Sequence, residues 1–120
     1  MKQAIPTEHQ EQVQLFAWSA YRPELALLHA IPNGGKRDIR TAAMLKAEGV
    51  KPGVPDICLP VPKGGYHGLY IELKRRKGGT VSKEQEAWIR ALTAEGYCCA
   101  VCHGWEAARD EIMRYIKEDK

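Results

Sequence analysis

Apolar residues recur along this chain with two different periods, and the places where the period changes mark out successive helices and strands. Thr7-Glu8-His9-Gln10 has the spacing of a capping box, which predicts a helix from Glu8 to about Tyr21, before Pro23. Val13, Phe16, Ala17 and Ala20 form its main apolar stripe, and Glu11, Leu15 and Trp18 form a second one. Leu25 to Ile31 reads as a short strand ended by Pro32, followed by the turn residues Asn33-Gly34-Gly35 and a helix from Asp38 to Glu48 that Gly49 stops. Asp56 to Leu59 is a short apolar strand. In Gly68 to Lys74 the alternation places Leu69, Ile71 and Leu73 on one face and Tyr70, Glu72 and Lys74 on the other. A second capping box, Ser82-Lys83-Glu84-Gln85, opens a helix to about Glu95 that ends at Gly96. Tyr97 to Cys102 reads as a buried strand, and Trp105, Ala108, Ile112 and Ile116 as the stripe of a last helix. The order αβαββαβα predicts an α/β fold with a central sheet flanked by helices.

Two of the strands carry the chemistry. Asp56 opens one, Glu72 and Lys74 share a face of the next, and pairing of the two would bring both carboxylates onto one hard divalent cation. Lys74 would then stand beside the attacking water, an arrangement suited to phosphodiester hydrolysis. Taken singly, these signals are weak: Glu-x-Lys on a strand is commonly an exposed ion pair, and Asp often begins a strand after Pro. In combination they are stronger, because Glu11 lies on a stripe with Leu15 and Trp18 and so supplies a third inward-facing carboxylate. Gln85 precedes Trp88, Ile89 and Leu92 by three, four and seven residues and therefore faces inward. Closing the capping box onto Ser82 and standing near the metal are both open to its amide.

A length of 120 residues points to a single domain spanning 1–120, able to bury roughly 60–70% of its unfolded surface. No run of 18 apolar residues occurs, and Met1 to Pro6 lacks the apolar segment of a signal peptide. The expectation is a soluble cytoplasmic protein without a membrane partner. The formal net charge of +3 is uneven, with eleven Lys and Arg against four acids between residues 36 and 83. A local excess of this kind suits a surface that tracks phosphates, although a solvated face would look the same. Asn33, Gly34 and Gly35 could bring backbone close to a phosphate, and Lys36, Arg37, Arg40, Arg75, Arg76 and Lys77 are the candidate DNA contacts. Cys99-Ala100-Val101-Cys102-His103 matches the pattern of c-type haem attachment, and Cys98, Cys99 and Cys102 could be imagined around zinc. On a strand Cys99 and Cys102 face opposite ways, so neither haem nor zinc is expected, and the thiols, Cys58 included, read as buried apolar groups.

Taken jointly, His9-x-Gln-Glu11, Pro32-Asn33-Gly34-Gly35, Gly53-x-Pro55-Asp56, Glu72-x-Lys74 and Ser82-x-x-Gln85-x-x-Trp88 resemble the VRR-NUC domain, a nuclease branch of the PD-(D/E)xK superfamily. The resemblance runs over residues 8 to 105. It implies the restriction-endonuclease-like fold, a mixed sheet flanked by helices, and a Mg²⁺- or Mn²⁺-dependent endonuclease. Asp56, Glu72 and the Leu73 backbone carbonyl would hold the main cation, with Glu11 assisting directly, through water or through a second ion. Lys74 would orient the attacking group or stabilise charge developing on the phosphate, and Gln85 would lie at the edge of the site. Stand-alone members of this size are similar to phage-encoded homodimers related to Holliday-junction resolvases, so the implied substrate is branched DNA, four-way junctions above all, cut in the host cytoplasm if the chain is phage-encoded. The competing expectation is a module of the same fold that binds branched DNA without cutting it. Carboxylates repel DNA unless a cation intervenes, which argues against that alternative.

Overall fold

The computed structural model describes residues 4–32 and 39–117. Its elements are α1 (Glu8–Ser19), a 3₁₀ turn (Pro23–Leu25), β1 (His29–Ala30), α2 (Ile39–Ala47), β2 (Ile57–Leu59), β3 (Leu69–Lys74), α3 (Lys83–Ala94), β4 (Cys98–His103) and α4 (Trp105–Lys117). The strands form one mixed sheet in the order β1-β2-β3-β4, antiparallel across β1/β2 and β2/β3 and parallel across β3/β4. The parallel pair needs a crossover, which α3 supplies. Both capping boxes form: the Thr7 and Ser82 hydroxyls accept from the amides of Gln10 and Gln85, whose side chains return to the cap N–H groups.

Alternation along β3 holds throughout. Leu69, Ile71 and Leu73 are buried against Leu15 of α1 and Ala108, Ile112 and Tyr115 of α4. Glu72 and Lys74 are just as buried on the opposite face, where the start of α3 covers them. The Tyr115 hydroxyl donates to the Val61 carbonyl at 2.6 Å, tying α4 to the loop after β2.

Three expectations are corrected. Tyr97 to Cys102 is not a wholly buried strand: in β4 only Cys102 is buried, and Val101 is 38% exposed. Leu25 to Ile31 is a strand only at His29 and Ala30; Pro23 starts a 3₁₀ turn, and Leu25 and Leu28, three residues apart, enter the core from turned backbone. On α1 the second stripe faces inward. Glu11, Leu15 and Ser19 are buried, whereas Val13 is 55% exposed and Ala17 and Ala20 are exposed. Leu15 and its i−4 and i+4 neighbours win because a large side chain fills the core and Glu11 has buried partners waiting for it.

Candidate active site

The register Ile57↔Ile71, Cys58↔Tyr70, Leu59↔Leu69 continues one step to set Asp56 opposite Glu72. Asp56 Oδ2 accepts the Leu73 N–H at 2.8 Å, which fixes that carboxylate across the strand pair. The preceding turn is held by Gly53, at φ +94°. A Cβ there would sit 2.6–2.8 Å from Glu84 atoms in the first turn of α3, so only glycine lets this loop touch that helix.

Glu72 is 2% exposed. Its Oε2 accepts from Gln85 Nε2 at 2.9 Å and lies 3.5 Å from Lys74 Nζ, while its Oε1 is buried without a donor. Burial first, then the charge and hydrogen-bonding demand of Asp56, push the Glu72 carboxyl up to about 8, more than the nearby Lys74 offsets. Two facing carboxylates, one with a bare buried oxygen, fit a divalent cation. Among the described residues no three His, Cys, Asp or Glu side chains converge into an all-side-chain metal site. A cation here would take two carboxylates and fill its remaining positions with water, backbone and substrate oxygens, which is how Mg²⁺ is commonly held. Lys74 Nζ donates to Gln85 Oε1 at 3.0 Å, and Gly79 lies so close that a Cβ would come within 3.1 Å of the lysine stem.

Asp56, Glu72, Ser82, Glu84 and Gln85 line a cavity of about 780 Å³ together with Glu8, Lys46, Lys51 and Gly53. Glu8, Lys46 and Lys51 were missed by the sequence reading. Glu8 is the first residue of α1, where an acid is explained by the helix dipole alone. Lys46 and Lys51 sit outside any motif.

Glu11 has other company. Its oxygens accept from Arg76 Nε at 2.7 Å, Arg76 Nη2 at 2.9 Å and the Trp105 N–H at 3.0 Å, and it lines a separate cavity with His9, Gln14 and Trp105. The Arg76 guanidinium holds the Glu11 carboxyl below the usual carboxylate range despite its burial, with the Trp105 amide helping. Arg76 also donates to Glu106 at 3.0 Å, so its charge is engaged by two carboxylates. These contacts pin α1 and the start of α4 to the end of the β3 strand. Of the other candidate DNA contacts, Arg40 and Lys77 are exposed, and Arg75 is exposed with its guanidinium on the Ile5 and Pro6 carbonyls. Asn33, Gly34, Gly35, Lys36 and Arg37 lie outside the described residues. All four cysteines are free thiols. Cys58 and Cys102 are buried, and Cys102 is pushed up to about 12 by burial and then by Glu111. His29 and His103 bond backbone carbonyls through Nδ1, and His67 packs edge-on to Tyr97.

The VRR-NUC domain model matches residues 2–106. This chain belongs to the VRR-NUC family. A solved structure described as a VRR_NUC domain protein superposes with a TM-score of 0.84 at 31% identity, covering 98% of this chain and 95% of the other. Among curated proteins no sequence matches it. VRR-NUC domains are nucleases acting on DNA, and the family generally uses divalent metals. No helix among the described residues is long and apolar enough to cross a membrane.

The depressed Glu11 carboxyl gives a stability test. A carboxyl whose pKa is lower in the folded state adds stability above its unfolded value, near 4.5, and loses it as pH falls through the folded value. Glu11→Gln should therefore lower unfolding free energy by on the order of 1–3 kcal/mol at pH 7, with the gap to wild type closing as pH drops below 4.5. Urea titrations at several pH values measure that gap, and one independent of pH would show that the Glu11 charge adds nothing.

Proposed function

We propose that this protein is a Mg²⁺- or Mn²⁺-dependent, structure-selective endodeoxyribonuclease that cuts four-way junctions or other branched DNA as a homodimer. The observation that carries the hydrolytic half of the reading is the pairing of Asp56 with Glu72, whose Oε1 is buried without a donor, on the wall of an open cavity. A surface that only bound phosphates would gain nothing from that pair. Asp56 and Glu72 are the residues that would hold the cation, with the Leu73 carbonyl as a further ligand, and a bound cation there supplies activation of water and polarisation of the phosphate. Glu8, not Glu11, is the α1 carboxylate placed to assist from the cavity wall. Lys74 presents a fixed positive charge where negative charge develops on the phosphate oxygens in the transition state. Lys46 and Lys51 on the cavity rim offer phosphate contacts, which position the backbone without reading sequence.

The homodimer follows from the number of cuts. One chain holds one Asp56, Glu72 and Lys74 set, whereas resolving a four-way junction takes two cuts related by symmetry, which a twofold pair of identical sites provides.

Asp56→Asn and Glu72→Gln should each abolish cleavage of a labelled four-way junction while leaving junction binding intact, since they remove cation ligands and not phosphate contacts. Lys74→Ala should lower the rate on the order of a hundredfold. Normal turnover by either carboxylate variant in Mg²⁺ would show that this pair does not hold the cation. Sedimentation should give a dimer at micromolar concentration, with paired nicks in opposite strands of the junction. A monomer that cuts single flaps better than junctions would reject both the assembly and the substrate.

A further inference from the structure

The α3 capping box reaches into the candidate active site, and the α1 box shows what such a motif does when it does not. At α1, Gln10 Oε1 accepts the Thr7 N–H at 2.9 Å, with no catalytic candidate among its bonds. At α3, Gln85 Oε1 accepts the Ser82 N–H at 2.8 Å and also the Lys74 ammonium at 3.0 Å, while Nε2 donates to Glu72 Oε2 at 2.9 Å. We infer that Ser82 is a positioning residue, whose backbone N–H fixes the orientation of the Gln85 amide and, through that amide, aims Lys74 and Glu72 at the cation and phosphate. This inference rests on the nuclease reading above.

A primary amide can be turned over with little change in shape, so something must decide which end faces which neighbour. Glu72 Oε2 calls for a donor, and the Lys74 ammonium, which has only donors, calls for an acceptor. Lys74 could turn instead to Glu72 Oε2, already 3.5 Å away, which would leave the amide loose. The Ser82 N–H breaks that tie. It belongs to the backbone at the start of a helix, cannot rotate away, and accepts no bond, so it holds Oε1 on the lysine side and Nε2 on the glutamate side. With Oε2 satisfied by Gln85, the other Glu72 oxygen, Oε1, is left without a donor. Gly53 packs against the same first turn of α3, so the loop that delivers Asp56 and the helix that orients Gln85 share one contact.

Two substitutions at one position separate capping from positioning. Ser82→Ala removes the hydroxyl that accepts from Gln85 but keeps the N–H; Ser82→Pro removes both, and the native φ of −77° suits proline. Losing the cap should lower the thermal stability of both variants similarly. For junction cleavage at saturating Mg²⁺, kcat should fall on the order of tenfold or more in Ser82→Pro and by less than about threefold in Ser82→Ala, with KM for DNA unchanged in both. A second readout needs neither metal nor substrate. The Gln85 side-chain amide pair in a nitrogen-15 correlation spectrum, assigned by its loss in Gln85→Glu, should be well separated in wild type and Ser82→Ala and collapse in Ser82→Pro. Wild-type kcat in Ser82→Pro, or an unchanged amide pair, would overturn the inference. If the wild-type protein cleaves no DNA, the nuclease reading fails on its own, and the amide pair still decides whether Ser82 orients Gln85.

Discussion

Everything around the candidate site answers one electrostatic problem, the placing of Asp56 and Glu72 side by side with Glu72 almost wholly out of water. Burial and then the neighbouring Asp56 charge oppose ionisation of Glu72, and its carboxyl rises to about 8. The neighbours reduce the cost only in part. Leu73 gives an N–H to Asp56, Gln85 gives one to Glu72, and Lys74 adds a positive charge close by, yet Glu72 Oε1 is left bare. A divalent cation would complete this set where protein groups do not, which is the reason for proposing one here.

Rigidity comes from elements far apart in sequence. Buried residues of β3, α1 and α4 lock one face of the sheet, and the Glu11–Arg76 pair fastens α1 to the chain just beyond Lys74. The Trp105 N–H at the start of α4 joins the same carboxylate. On the other face, α3 contributes a capping turn whose Gln85 side chain touches Glu72 and Lys74 of β3. Strand β3 is thus clamped from both sides, which suits a candidate site that must hold charges at fixed separations.

Much of this was legible in the residues. Alternation along Leu69 to Lys74 sets the faces of β3, both capping boxes are written as Thr/Ser-x-x-Gln, and the order αβαββαβα appears as expected. What escaped was rotational and long-range. Two apolar stripes compete on α1, and the smaller residues of the longer stripe lost to Leu15, which took Glu11 inward with it. Facing inward did not bring Glu11 to Asp56 and Glu72: Arg76, counted as a phosphate contact, lies against Glu11, a pairing 65 residues apart that no local pattern announces. Glu8 at the cavity wall was hidden because helix starts favour acids for their own reasons. Leu25 and Leu28 are spaced by three, a hint of turned backbone that an apolar run conceals.

Calorimetric titration of Mn²⁺ into DNA-free protein tests most directly whether Asp56 and Glu72 together hold a divalent cation. Saturable binding by the wild type that is lost in both Asp56→Asn and Glu72→Gln is the result expected. Binding of equal strength in all three proteins would contradict it.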